Sequence, residues 1–105
     1  AEAQVQLAHA YRNGRGLQKS SKRALQFYEL AAAQGNIRAQ AQLGFIYFRG
    51  VGVKINYKKA AQWFRRAAEH GYPLAQSNFG EMFYEGRGVA QTYDEAVRWY
   101  RLPPP

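Results

Sequence analysis

Shifted by 36 residues, the sequence falls back onto itself, and a chain with that period is committed to a stack of similar units. Ala3, Ala39 and Ala75 align, as do Gln4, Gln40 and Gln76, then Leu7, Leu43 and Phe79, and Tyr11, Tyr47 and Phe83. The register continues through Gly14, Gly50 and Gly86, then Gly16, Gly52 and Gly88, then Ala24, Ala60 and Ala96, and closes on the aromatics Phe27, Trp63 and Trp99. The units run about 1–36, 37–72 and 73–105 within one repeat domain.

Spacing inside each unit is helical. Ala39, Leu43 and Tyr47 stand at i, i+4 and i+8 and stack on one face, which predicts a first helix, A. Ala60, Trp63, Phe64 and Ala67 give the apolar stripe of a core-facing second helix, B. The Gly-x-Gly step between them suits a helix that ends in a left-handed residue. Ser20, Asn56 and Thr92 share one repeat position as N-cap candidates, and Thr92 with Glu95 reads as a capping box. Gly35 and Gly71 stop helix B, while Ala31, Ala32, Ala67 and Ala68 let helices approach closely. The expected fold is all-α, a right-handed α-solenoid of three helix-turn-helix units forming an α/α superhelix.

The run Ala39-x-x-x-Leu43-Gly44-x-x-Tyr47-x-x-Gly50-x-Gly52-Val53, followed by Lys59-Ala60-x-x-Trp63-x-x-x-Ala67-Ala68-x-x-Gly71, resembles the Sel-one-like repeat (SLR) family. The third unit repeats it through Phe79-Gly80, Gly86-Arg87-Gly88-Val89 and Glu95-Ala96-x-x-Trp99. The first departs modestly, with Ala8 in place of Gly and Phe27 in place of Trp. Tetratricopeptide repeats fit less well, with a period of about 34 residues and no double-Gly turn. The resemblance implies a non-catalytic adaptor that holds a peptide or protein on a concave surface lined by helix A, as in quality control of membrane proteins or in bacterial signalling, envelope assembly and host contact.

With the invariant positions given to the core, the variable positions of helix A are expected to face that groove. They are Glu2, Val5, His9, Arg12 and Asn13 in the first unit, Arg38, Ala41, Phe45, Phe48 and Arg49 in the second, and Leu74, Ser77, Glu81, Tyr84 and Glu85 in the third. Of these, His9, Arg12, Arg38, Phe45, Phe48, Arg49, Glu81, Tyr84 and Glu85 are the candidate partner-binding residues. Solvent-facing Phe45, Phe48 and Tyr84 flanked by Arg would resemble binding hot spots. The competing reading packs Phe45 or Phe48 against a neighbouring helix. Arg49 and Glu85, one repeat apart, are positioned to pair across adjacent A helices, a contact of about 0–1 kcal/mol.

Charge bears on the class of partner. The formal +8 is uneven: +3 over residues 1–36, +6 over 37–72 and −1 over 73–105. Lys54, Lys58, Lys59, Arg65 and Arg66 fall in or near the second helix B, expected on the outer surface. Such a face attracts nucleic acid or an anionic membrane, or simply keeps the chain solvated. A nucleic-acid-binding helical repeat is therefore one alternative, weakened by Val5, Ala41 and Ser77 at the inner position where RNA-reading repeats carry code-bearing polar groups. A structural spacer within a larger repeat protein is the other.

Catalytic and metal chemistry find no support. Cysteine is absent, so neither a disulfide framework nor a Cys-ligated zinc site is available. His9 and His70 occupy different repeat positions without an acidic partner nearby in sequence. Glu81 and Glu85 are an i, i+4 like-charged pair rather than a convincing acid–base couple. The three Gly-x-Gly steps follow helices and lack the Lys-Ser/Thr of a phosphate loop. No cofactor is expected. The longest charge-free apolar-leaning stretch, Ala39 to Phe48, is about half of the ~20 residues needed to cross a bilayer. Compartment stays open, and Ala1 in place of an initiator Met points to a processed chain or an excised fragment. Pro103, Pro104 and Pro105 close the third unit early and leave Trp99 and Tyr100 as an apolar end, which suits a piece of a longer array or self-association.

Overall fold

A computed structural model describes residues 2–14 and 20–100. The Pro-rich tail and the second glycine of the first turn, Gly16, lie outside those residues. The described chain holds six helices: α1 Glu2–Asn13, α2 Ser21–Ala33, α3 Ile37–Arg49, α4 Tyr57–Glu69, α5 Pro73–Glu85 and α6 Tyr93–Tyr100. α1, α3 and α5 are the A helices, and α2, α4 and α6 the B helices. Each helix packs chiefly on its neighbours in sequence. The body measures 45 × 29 × 19 Å, and its radius of gyration of 14.0 Å exceeds the about 13 Å of a globule of this size, as a solenoid requires.

The turns obey the repeat. Helix α3 ends on Gly50 at φ 71° and ψ 44°, a left-handed cap whose N–H donates to the Ile46 carbonyl at 2.8 Å. Gly86 does the same for α5, donating to Met82. Each A–B loop is then closed by one main-chain bond: Ser20 N–H to Tyr11 O at 2.8 Å, Asn56 N–H to Tyr47 O at 2.8 Å, and Thr92 N–H to Phe83 O at 3.1 Å. α2 and α4 end alike. Gly35 N–H donates to Ala32 O and Asn36 N–H to Ala31 O, and Gly71 and Tyr72 repeat this with Ala68 and Ala67, a Schellman closure.

Ser20 Oγ accepts from Arg23 N–H at 3.1 Å and Asn56 Oδ1 from Lys59 N–H at 3.0 Å, so two expected N-caps form. The capping box at Thr92 does not form, because Glu95 is drawn instead to Arg98 at 3.5 Å. α3 carries a cap the repeat pattern did not single out, with Asn36 Oδ1 accepting from Ala39 N–H at 2.9 Å.

The core is narrow and alanine-rich. Ala24, Ala31, Ala39, Ala60, Ala67 and Ala75 are fully enclosed, and the large groups Tyr28, Phe64, Leu43 and Met82 fill the space between helices. Gln40 and Gln76 are buried too, and their side-chain amides donate to the carbonyls of Ala32 and Ala68 at 3.4 and 3.2 Å. Each therefore ties an A helix to the end of the preceding B helix. Among the described residues, no helix is long and apolar enough to cross a membrane.

Candidate functional site

Variable positions of the A helices fall into two groups. Val5 and Ala41 are 1% and 2% exposed, so these two expected groove residues belong to the core. Both belong to the enclosed apolar core of the stack. Their third-repeat counterpart, Ser77, is exposed, as are Arg38, Arg49, Glu81, Tyr84 and Glu85.

His9, Phe45 and Glu81 share one register position and meet Tyr28, Phe64 and Tyr100, which share another. The chemistry differs in each layer. His9 Nδ1 is 2.7 Å from the Tyr28 hydroxyl. The Phe45 ring stands edge-on to Phe64 with centroids 5.1 Å apart. Tyr100 donates to Glu81 Oε2 at 3.3 Å. Phe45 and Phe48 are consequently half-buried rather than solvent-facing; Phe48 is tilted on Tyr57 at 5.2 Å. Their aromatic partners in helix B attract them more than water does.

Around His9 the field is positive. Burial, with the Arg38 and Arg12 guanidiniums adding to it, lowers the imidazole pKa below its usual range, while Glu2 opposes the shift. Burial raises the Tyr28 phenol pKa, and the positive charge of Arg12 pulls in the other direction. At 2.7 Å a neutral imidazole with its proton on Nε2 can accept the phenol hydrogen at Nδ1. Arg12 also reaches across to α3, where Nη1 donates to Gln42 Oε1 at 2.6 Å. This part-buried bond between neighbouring A helices joins two repeats.

Arg49 lies over the Phe45 ring at 5.5 Å, and Glu85 lies 3.8 Å from Arg87. The expected Arg49–Glu85 pair is not made, because each group has a nearer partner on or beside its own helix. Arg87, from the third repeat's turn, sits over Tyr57 at 5.3 Å and Phe48 at 5.9 Å in the second repeat. Tyr84 is 54% exposed and tilted against Tyr93 at 5.3 Å.

On the outer side, three of the five basic groups are already engaged. Lys59 covers Tyr47 at 5.2 Å, Arg66 covers Trp63 at 4.9 Å, and Arg65 bonds Glu69 at 3.3 Å. Arg23 repeats the Lys59 contact one unit earlier, 5.6 Å over Tyr11. A groove of about 750 Å³ opens between α4, α5 and α6, floored by Phe79, Phe83 and Val89 and rimmed by Lys58, Arg65 and Arg98. Sequence reasoning did not anticipate it, since its walls come from two different repeats. Trp99 turns into this region half-buried, edge-on to Phe79 at 5.1 Å, and Tyr100 beside it stays exposed. Among the described residues no group of His, Asp and Glu stands close enough to hold a metal.

The model of the Sel1 repeat matches residues 1–36, 37–72 and 73–102. Among solved structures, the chain is similar to c5321, a protective antigen of uropathogenic Escherichia coli strains with an SLR fold, at 37% identity and a TM-score of 0.92. That match covers 94% of this chain and 21% of the other, so the chain spans about a fifth of that relative's length. A Sel1 repeat protein of Oxalobacter formigenes is 38% identical with a TM-score of 0.88, covering 94% of this chain and 74% of that one. Cysteine-rich protein B of Helicobacter pylori shares the fold at 21% identity and a TM-score of 0.74, over 93% and 81% of the two chains. No curated protein matches the chain significantly. The three tandem units, with their double-Gly turns and Ala-rich helix contacts, belong to the Sel1 repeat family.

Proposed function

We propose that the chain is a protein-interaction scaffold that takes a peptide or protein segment on the face formed by α1, α3 and α5. Sel1-repeat proteins are generally non-catalytic interaction scaffolds, and a partner-binding surface in a repeat array lies where the repeats differ. One observation carries the reading. At buried register positions the repeats vary mostly within apolar residues, as Ala39 with Ala75 and Leu43 with Phe79, whereas at exposed positions of the same helices charge itself changes, Arg38 standing in register with Leu74 and Arg49 with Glu85. Packing explains the restriction to apolar residues but places no demand on the exposed set. On helix α4, Lys59 and Arg66 rest on Tyr47 and Trp63, and Arg65 meets Glu69.

Affinity capture from nuclease-treated source lysate tests this. Wild-type bait is compared with an Arg38→Glu, Arg49→Glu variant and with an outer-face Lys58→Glu, Arg65→Glu variant. A protein lost only with the first variant is the expected result. Identical capture by all three baits would count against the α1, α3 and α5 face. Phe45 is left intact because it packs on Phe64, and its loss would confuse binding with folding.

A further inference from the structure

Neighbouring A helices carry opposite charge. α3 contains Arg38 and Arg49 and no acid, whereas α5 contains Glu81 and Glu85 and no base. In a repeat array successive A helices line one face, where long side chains of opposite sign could meet. They do not. Ion pairs among the described residues are Arg65–Glu69, Arg87–Glu85 and Arg98–Glu95, and none joins α3 to α5. Glu81 takes only the Tyr100 hydroxyl, Arg49 rests on Phe45, and neither Arg38 nor Arg12 bonds a carboxylate.

The A-helix face thus carries guanidiniums at Arg12, Arg38 and Arg49 on α1 and α3 and a carboxylate at Glu81 on α5, with the half-buried Phe45 ring lying under Arg49. Guanidiniums left without carboxylates retain fork donors for a bidentate acceptor, and the Glu81 carboxylate retains acceptor capacity beyond the one hydroxyl it receives. Building on the reading that this face binds a partner, we propose that it recognises an extended peptide segment of both signs. An acidic side chain sits at Arg12 and Arg38, an apolar one against Phe45, and a basic one at Glu81. Arg38 is the second residue of α3 and Glu81 the ninth of α5, a difference of about 10 Å in helix rise on top of the step between helices, so in an extended chain advancing about 3.3 Å per residue the acidic and basic positions lie at least about four residues apart. The sign change also fixes the direction in which the segment lies.

The probe is a phage library of random twelve-residue peptides panned on the wild-type chain, followed by fluorescence anisotropy of the recovered peptides. Arg38→Glu, Glu81→Lys and an outer-face Lys58→Glu control are checked for helical circular dichroism, with Arg38→Gln and Glu81→Gln in reserve if a reversal does not fold. The expected result is enrichment of an acid and a base four or more residues apart. Arg38→Glu and Glu81→Lys should each weaken binding about tenfold or more, Lys58→Glu should change it little, and a peptide whose base is replaced by Glu should recover affinity on Glu81→Lys. Recovered peptides of one sign that Arg38→Glu still abolishes would overturn the two-sign segment while leaving the binding face in place. Peptides indifferent to both reversals, or no enrichment, would overturn both. Single-stranded RNA held at low salt and released by Arg38→Glu would likewise overturn the peptide proposal.

Discussion

The hydroxyl of Tyr28, fully enclosed between helices, lies 2.7 Å from Nδ1 of His9, and this contact makes the innermost layer of the first repeat polar where the second repeat uses Phe45 on Phe64. A buried phenol needs a partner for its hydrogen, and only a neutral imidazole can accept it at Nδ1. The positive surroundings of Arg12 and Arg38 help keep that imidazole neutral. One pair thus links the core of the stack to its cationic face.

That link makes stability pH-dependent. The folded His9 has a pKa below its ordinary 6.5, so near and below that pH the unfolded chain binds more protons than the folded one. Stability from this group is fully present above about pH 6.5 and is lost as pH falls toward the lowered folded pKa. Urea denaturation from about pH 7.5 to about pH 5.5 should show a falling midpoint for the wild-type chain and a shallower fall for His9→Gln. Equal slopes would show that the imidazole is not held neutral by the fold.

Gly88 has a different task from Gly86. At φ 74° it already requires a left-handed backbone, and a Cβ there would run into the main-chain carbonyl of Tyr57, at the start of the preceding helix B. Gly35 is also left-handed, at φ 90°, but a Cβ there meets open space. Gly35→Ala should therefore cost about 1–2 kcal/mol for the backbone conformation alone. Gly88→Ala should cost distinctly more, since backbone of one repeat must move off another. Chemical denaturation of the two variants side by side decides the matter, and equal losses would remove the close approach as the reason for this glycine.

The repeat register made the helices, their order and most of their caps legible, because those depend on local backbone chemistry that recurs with the period. Partner chemistry across the register was not legible. Gly52 and Gly88 looked like parts of a turn, yet they are needed for contact with Ser21 and Tyr57 of the previous unit. Gln40 and Gln76 looked merely recurrent, yet they bond carbonyls eight residues earlier. Val5 and Ala41 varied and so suggested a surface, but variation among apolar and small residues is equally compatible with a core. Arg12 stood out as a candidate, while Gln42, to which it bonds, matched no motif at all.

Gly44 and Phe64 should behave as a coupled pair. A Cβ on Gly44 would stand 2.6 Å from the Phe64 ring, itself fully buried. Gly44→Ala is expected to overpack this layer at a cost of about 1–3 kcal/mol. Phe64→Ala should cost about 3–5 kcal/mol by opening a cavity. In a double-mutant cycle, Phe64→Leu should absorb part of the Gly44→Ala penalty, so that the combined loss falls short of the sum of the two. Strict additivity would mean that the helices move apart instead of the ring yielding.

Asn56 and Thr92 look interchangeable in the sequence but should not be in the protein. Asn56 Oδ1 accepts the Lys59 N–H at 3.0 Å, so Asn56→Ala leaves an N-terminal donor of α4 without its side-chain partner and should cost about 1 kcal/mol. In a chain this size that corresponds to a fall of about 4–8 °C in Tm. Thr92 contributes its main-chain N–H to Phe83 O and its carbonyl to Ala96 N–H, bonds that alanine makes equally well, and its expected partner Glu95 is occupied by Arg98. Thr92→Ala should accordingly shift Tm by no more than about a quarter as much, in keeping with the small effect of surface substitutions away from caps. Thermal melts of both variants followed by circular dichroism read the difference directly, and a Thr92→Ala loss as large as that of Asn56→Ala would show that the threonine hydroxyl caps α6 after all.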